Sequence, residues 1–138
     1  MAGIVAPRDF ATDAERDQKG GFTVWCLTTG DIKRVQGYFE RGGVDMPSEN
    51  VISCDTHGLA KPALAAYKPA FDRFAPEDDK WFAAGHMWDV TAATKAGFRG
   101  AYCTVYEKES CLEIFDEVME VTADTLPEMA EKIVAASK

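Results

Sequence analysis

The sequence predicts an α/β protein with a three-layer architecture, in which helices cover both faces of an open, mainly parallel β-sheet. Short apolar runs rich in β-forming residues alternate along the chain with segments whose apolar residues recur at helical spacing. Such alternation favours right-handed βαβ crossovers and therefore parallel strands. A chain of 138 residues has the size of one domain, so we expect a single domain over residues 1–138.

The first unit is a strand followed by a helix. Residues 22–27 (FTVWCL) form an apolar run that Thr28, Thr29 and Gly30 bring to an end, which is typical of a buried strand. The next apolar side chains, Ile32, Val35 and Phe39, fall on one face of a helix.

The second unit begins with an apolar run over residues 50–54 and continues into a helix after Lys61-Pro62. Proline is favoured in a first helical turn, and an apolar stripe runs on through Tyr67 to Phe74. Pro69 predicts that this helix is kinked or ends early.

Two more strands and two more helices complete the pattern. The run 81–84 leads through Gly85 and His86 to an alanine-rich helix that stops near Gly97. Residues 101–106 predict a fourth strand and 118–121 a short edge strand. Thr125 and Glu128 have the spacing of a capping box, which predicts that the last helix opens there.

Charge and composition exclude several classes of protein. The net charge of -8 repels phosphate backbones and anionic lipid, so we expect neither a nucleic-acid partner nor membrane binding. No apolar run reaches the roughly 20 residues of a membrane span, and the first 18 residues lack the pattern of a signal peptide. We expect a cytoplasmic protein. The four cysteines lack zinc-ligand spacing, and we expect no metal site.

Polar side chains follow three of the predicted strands. Thr28 and Thr29 come after the first, Lys61 after the second, and the segment 85–89, with His86 and Asp89, after the third. Because the carboxyl ends of parallel strands meet at one edge of a sheet, these groups predict a pocket for a small anionic or carbonyl-containing substrate.

The segments LTTGD at 27–31, KPALAAY at 61–67 and AAGHMWDVTAATKAGFRGAYC at 83–103 resemble the haloacid dehalogenase superfamily, above all type II 2-haloacid dehalogenase-like proteins of fungal type. The resemblance runs from about Gly20 to the C-terminus and implies a Rossmannoid core. It implies that Thr28 holds a substrate oxygen, that Lys61 steadies the nucleophile and the developing anion, and that Asp89 is the acidic partner of this lysine. Tyr67 takes the place of the pocket tyrosine, and His86 that of an asparagine.

Two departures from the family concern its catalytic power. The family's aspartate nucleophile, at the end of a central first strand, and the cap domain that follows it are not evident in this sequence. Ala84, Gly85 and His86 also supply no carboxylate ahead of Asp89, so Mg²⁺ is doubtful and we expect no cofactor.

The segment 1–21 has two interpretations. In one, residues 3–6 (GIVA) form a minimal first strand with Asp9 as a displaced nucleophile at its end, which gives a capless core. In the other, which we favour, the segment is the tail of a lost cap and the sheet lacks its central strand. A missing strand leaves backbone groups unpaired, which predicts a homodimer.

Two hypotheses of function follow. The first is an enzyme of haloacid dehalogenase-like ancestry, either a hydrolase of 2-haloacids or phosphate esters or, without the aspartate nucleophile, an isomerase, lyase or cyclase. In the latter case His86 or Asp89 acts as base, and Lys61 with Thr28 stabilises an oxyanion. The second is a non-catalytic binding or dimerisation module of the same ancestry.

Overall fold

The structure is a computed structural model that describes residues 2–8, 24–43, 47–54, 61, 63–109 and 119–137, the first of these segments as backbone only. The described elements, in chain order, are β1 (Ala2–Arg8), β2 (Trp25–Thr28), α1 (Ile32–Arg41), a 3-10 turn (Ser48–Asn50), β3 (Val51–Ser53), α2 (Leu64–Asp72), β4 (Asp79–Ala84), α3 (Met87–Ala96), β5 (Arg99–Cys103), β6 (Val121–Ala123) and α4 (Leu126–Ala136).

The strands form one six-stranded sheet with the order β3-β2-β1-β4-β5-β6. The pairs β2–β3, β4–β5 and β5–β6 are parallel, whereas β1 is antiparallel to both of its neighbours. Five strands therefore point in one direction and only the central strand β1 is reversed. The α/β class and the mainly parallel sheet agree with the sequence prediction.

Helices cover both faces of the sheet. On one face Leu27 and Phe82 pack in a core cluster with α2 and α3, which contribute Tyr67 and Val90. On the other face Trp81 and its neighbours pack against Met129 and Ile133 of α4. Cys26 and Val51 pack there against Val35 of α1. Successive side chains of β4 point to opposite faces of the sheet, so this strand contributes to both cores. The helices and the sheet together form the expected three-layer arrangement.

The N-terminal segment corrects one prediction. We favoured a sheet that lacks its central strand, and this is wrong because β1 pairs with β2 on one side and with β4 on the other. The alternative, a first strand over 3–6, agrees with β1, which runs antiparallel to both of its neighbours. Arg8 at the end of β1 lies opposite Asp79, where β4 begins. Asp9, the candidate nucleophile, lies outside the described residues.

Several element boundaries follow from local chemistry. Helix α2 runs through Pro69 and ends at Asp72, so the proline does not end it early. The start of the last helix at Thr125 is confirmed, since Thr125 Oγ1 accepts from the backbone N–H of Glu128 as the N-cap of α4, while the Glu128 carboxylate accepts from the backbone N–H of Asp124. Gly97 ends α3 in the left-handed region (φ +119) against the Phe71 ring, where a side chain would collide. Within the described part of the chain, the helices are too short or too polar to cross a membrane.

Candidate functional site

A buried cluster of three polar side chains lies at the carboxyl edge of the sheet, and we call it the lysine cluster: Lys61, Tyr67 and Asp89. Lys61 precedes α2, Tyr67 lies on the buried face of α2, and Asp89 lies in the first turn of α3, just after β4. The segments that follow β3 and β4 thus meet at one point, as expected because strands that run in the same direction end at the same edge of the sheet.

The lysine cluster is closely hydrogen-bonded. The Lys61 ammonium donates to Asp89 Oδ2 at 3.0 Å and to the backbone carbonyl oxygen of Leu27, in β2, also at 3.0 Å. The Tyr67 hydroxyl donates to Asp89 Oδ1 at 2.6 Å. The side chains of Lys61 and Asp89 are 0% exposed. A buried charge pair is sustained only by hydrogen bonds of this kind, because both groups have lost their water.

These contacts fix the role that each member can take. Burial, followed by the hydrogen bond to the Asp89 carboxylate, raises the pKa of Tyr67, so this hydroxyl remains a donor. Both oxygens of Asp89 accept hydrogen bonds within the cluster. Asp89 thus joins the Lys61 ammonium and the Tyr67 hydroxyl through one carboxylate, and the base role considered for it stays a prediction.

Thr28 and Thr29 differ in their placement. Thr28 is buried at the end of β2, and its Oγ1 accepts from the backbone N–H of Gly30 at 3.0 Å. The Ser53 hydroxyl, at the end of β3, donates to the Gly30 carbonyl at 2.8 Å and so ties the turn to the next strand. Thr28 lies next to Leu27, whose carbonyl holds Lys61, whereas Thr29 is exposed.

A second polar group lies beside the amino end of α3, and we call it the histidine cluster: His86, Tyr102 and Glu107. His86 is the N-cap residue of α3, and its Nδ1 lies 3.1 Å from Glu107 Oε1. The same carboxylate oxygen accepts from the backbone N–H of Met87 at 3.1 Å. The hydroxyl of Tyr102 lies 3.1 Å from Glu107 Oε2 and 2.7 Å from the carbonyl oxygen of Glu109.

The structure brings most of the predicted site residues to one edge of the sheet. Lys61, Tyr67 and Asp89 are in direct contact, Thr28 adjoins them through the backbone of β2, and His86 lies one helical turn before Asp89. Asp9 cannot be placed in this site, since it falls outside the described residues.

Sequence reasoning missed Glu107, Tyr102 and Ser53. Each of them lies at or beyond the carboxyl end of a strand, Ser53 in β3 and the other two in β5 or the turn that follows it. The rule that drew attention to Thr28 also applied to these positions, and for Glu107 the polar run over 107–110 (EKES) was the available signal.

The cysteines and carboxylates offer no metal centre in the described segments. No group of three His, Cys, Asp or Glu side chains is placed there to hold an ion. Cys26, Cys54 and Cys103 are free and buried, and burial raises the pKa of Cys26 and of Cys54. Raised values disfavour the reactive thiolate, which agrees with a packing role for these two thiols.

Comparison with protein-family models, with curated proteins and with solved structures finds no match for this chain. The assignment of function therefore depends on the chemistry of the two clusters at the carboxyl edge.

Proposed function

We propose that this protein is a haloacid dehalogenase-like enzyme that binds a small anionic or carbonyl-containing substrate and transforms it by non-covalent acid–base catalysis. Isomerases, lyases and cyclases use chemistry of this class. The observation that carries the proposal is the lysine cluster, a buried ammonium held at the carboxyl edge of the sheet, and His86 caps the helix α3 that carries its partner Asp89. Clusters of buried ionisable groups at such edges are typical of active sites.

The Lys61 ammonium is the proposed oxyanion stabiliser. Its bonds to Asp89 and Leu27 use two of its three N–H groups within the described residues, and we assign the third, which is buried in this structure, to a substrate oxygen. A fixed donor in a site shielded from water stabilises developing negative charge far more than an exposed lysine does. Thr28 lines the same edge as a second substrate-binding residue, while Tyr67 acts through Asp89 as a positioning residue.

The His86 imidazole is the proposed base. It takes a proton from the carbon next to a substrate carbonyl, the electron pair of the broken C–H bond forms a C=C bond, and the π pair of the carbonyl moves to its oxygen to give an enolate that Lys61 stabilises. Return of the proton to another atom gives an isomer, and departure of a group from the neighbouring carbon gives a lyase product. No covalent bond to the protein forms in either case.

Covalent hydrolysis has less support. The family's route needs an aspartate that attacks carbon or phosphorus, at the carboxyl end of a central strand. Here the central strand β1 runs the other way and ends beside Asp79 at the amino edge, whereas Lys61 and Asp89 lie at the carboxyl edge. The non-covalent route needs only groups that lie at that carboxyl edge.

Solvent-deuterium incorporation into small 2-oxo acids tests this proposal. The purified protein in D₂O is incubated with pyruvate, 2-oxobutyrate and oxaloacetate, and loss of the C3 proton signal is followed by NMR. We expect exchange above the buffer rate, lost in Lys61→Met and His86→Gln but kept in the control Lys68→Met, whose lysine is exposed on α2. A base typically contributes about 10²- to 10⁴-fold to the rate.

Parallel assays with 2-haloacids and phosphate esters, with and without Mg²⁺, measure covalent hydrolysis. Release of halide or phosphate that is lost in Asp9→Ala would contradict the non-covalent route. Exchange at the buffer rate for all three 2-oxo acids would contradict the proposal for this substrate class.

A second candidate is a non-catalytic binding module of the same ancestry. The mutual neutralisation of Lys61 and Asp89, both with fully buried side chains, favours it. It predicts ligand binding without exchange or hydrolysis in the assays above.

The homodimer and the cytoplasmic location also stand as proposals. The missing strand that suggested a dimer is present as β1, so the dimer now needs its own test by sedimentation equilibrium. Three free, buried cysteines are consistent with a reducing compartment.

A further inference from the structure

Glu107 belongs to a turn that folds back from β5 onto the start of α3. The backbone N–H of Lys108 donates to the carbonyl oxygen of Thr104 at 2.7 Å and closes this turn. Lys108 has a φ of 64°, in the left-handed region that non-glycine residues rarely adopt. The turn therefore adopts an unfavourable backbone conformation at the residue that follows Glu107. Backbone strain of this kind occurs often at functional sites.

Among the described residues, the Glu107 carboxylate contacts partners on other elements. It faces His86 Nδ1 and the backbone N–H of Met87, both at 3.1 Å from Oε1, and the Tyr102 hydroxyl lies 3.1 Å from Oε2. The side chain of His86 forms no capping hydrogen bond at the start of α3. Glu107 thus supplies from another element the acceptor that a helix N-terminus needs, and its negative charge is favourable there.

The same geometry selects one form of the imidazole. An ionised carboxylate can only accept hydrogen bonds, so the short contact requires the proton of neutral His86 to reside on Nδ1. Nε2 then carries the lone pair. The ring plane is also constrained, because the Tyr106 ring stacks on it with a centroid separation of 5.6 Å and an interplanar angle of 4°. Gly85 permits this approach, since a side chain there would collide with Tyr106.

We propose that Glu107 is a positioning residue that fixes His86 in the Nδ1–H form and so makes Nε2 the proton acceptor of the reaction. This inference rests on the proposed function, in which His86 is the base, and it explains how a histidine without an aspartate beside it in the sequence acquires the orienting carboxylate of a catalytic dyad.

The tautomeric state of His86 gives a test that does not depend on turnover. The chain has 2 histidines, and His57→Gln assigns the imidazole signals in ¹H–¹⁵N spectra that correlate ring nitrogens with ring protons. With the imidazole neutral, we expect the Nδ1–H form in the wild-type protein. Glu107→Ala removes the acceptor and should shift His86 to a mixture in which Nε2–H predominates. Glu107→Gln keeps an oxygen acceptor and should retain Nδ1–H.

Glu131→Gln, which removes an exposed carboxylate on α4, serves as the control and should leave the His86 signals unchanged. A wild-type His86 in the Nε2–H form would overturn the proposal, and so would a Glu107→Ala spectrum identical to the wild type. Amide spectra of each variant verify that the fold is intact.

Exchange assays with the 2-oxo acids separate this inference from the proposed function. If Glu107 positions the base, kcat falls in Glu107→Ala by up to the roughly 10²- to 10⁴-fold that a base contributes, with KM little changed. If His86 holds the Nδ1–H form but neither the wild type nor any variant catalyses exchange, the result supports the positioning role of Glu107 and contradicts the proposed function. Turnover with an Nε2–H tautomer supports the function and overturns the inference.

Discussion

Two charged clusters lie at opposite edges of the same sheet, and they differ chiefly in their access to water. The lysine cluster at the carboxyl edge has Lys61 and Asp89 side chains that are 0% exposed. At the amino edge, Arg99 bridges Asp79 and Glu120 at 2.7 Å each, with Arg99 and Glu120 side chains 32% and 49% exposed. We call this second group the arginine cluster.

The ion pairs of the two clusters have similar N–O distances, but the loss of one partner has very different effects on the free energy of unfolding. Exposed pairs compete with water and salt and contribute about 0.2–1 kcal/mol. A buried pair has lost its hydration, so removal of one partner leaves an isolated charge that costs roughly 3–5 kcal/mol. The arginine cluster is therefore replaceable, whereas the lysine cluster depends on all of its members. An arrangement that costs so much to desolvate contributes little net stability, which favours a role in binding or catalysis for the carboxyl edge.

The largest expected effect comes from breaking the buried pair on one side. Asp89→Leu leaves the Lys61 ammonium buried without its carboxylate, and we expect the free energy of unfolding in urea to fall by about 3–5 kcal/mol. Asp72→Leu, at an exposed pair on α2, is the matched control and should change it by less than about 1 kcal/mol.

The double variant Lys61→Met/Asp89→Leu sharpens the comparison, because it removes both charges together. Its free energy of unfolding should lie well above that of Asp89→Leu and close to the wild type. A double variant as unstable as the sum of its single variants would show that packing, and not the buried charge, controls this region.

A smaller effect is expected at Tyr67. Tyr67→Phe removes one hydrogen bond to a buried carboxylate, which costs about 1.5–3 kcal/mol. The folded protein holds the pKa of Tyr67 above its ordinary value of 10.0, so the unfolded chain loses this proton first as the pH rises. Stability from this group is full below pH 10.0 and declines above it. Urea unfolding at rising pH should show a steeper decline in wild type than in Tyr67→Phe.

The smallest effect is expected in the arginine cluster. Glu120→Gln removes one carboxylate that accepts from Arg99, and we expect a loss of about 0.2–1 kcal/mol that shrinks further in high salt. Thermal unfolding at low and high salt measures it. A loss above roughly 2 kcal/mol at both salt concentrations would remove the distinction between the two edges.

The features that the sequence predicted correctly depend on the spacing of apolar residues and on the residues that follow each strand. The runs around Cys26 and Trp81 indicated strands because they are short, apolar and followed by helical spacing, and the strand-end rule drew Lys61 and Asp89 to one edge. The direction of β1 was not predictable in this way, since side-chain alternation is the same in either direction. Glu107 was missed because its partner His86 is 21 residues away and no local spacing joins them.

Mapping the binding of small anions onto the two edges tests the central claim most directly. The ¹⁵N-labelled protein is titrated with pyruvate, 2-chloropropionate and inorganic phosphate, and amide shifts are followed at Thr28, Gly30 and Met87 on the carboxyl edge and at Arg99 and Glu120 on the amino edge. We predict saturable shifts on the carboxyl edge that Lys61→Met abolishes and Lys68→Met retains. Shifts confined to Arg99 and its neighbours, or no saturable shift with any of the three anions, would contradict the account.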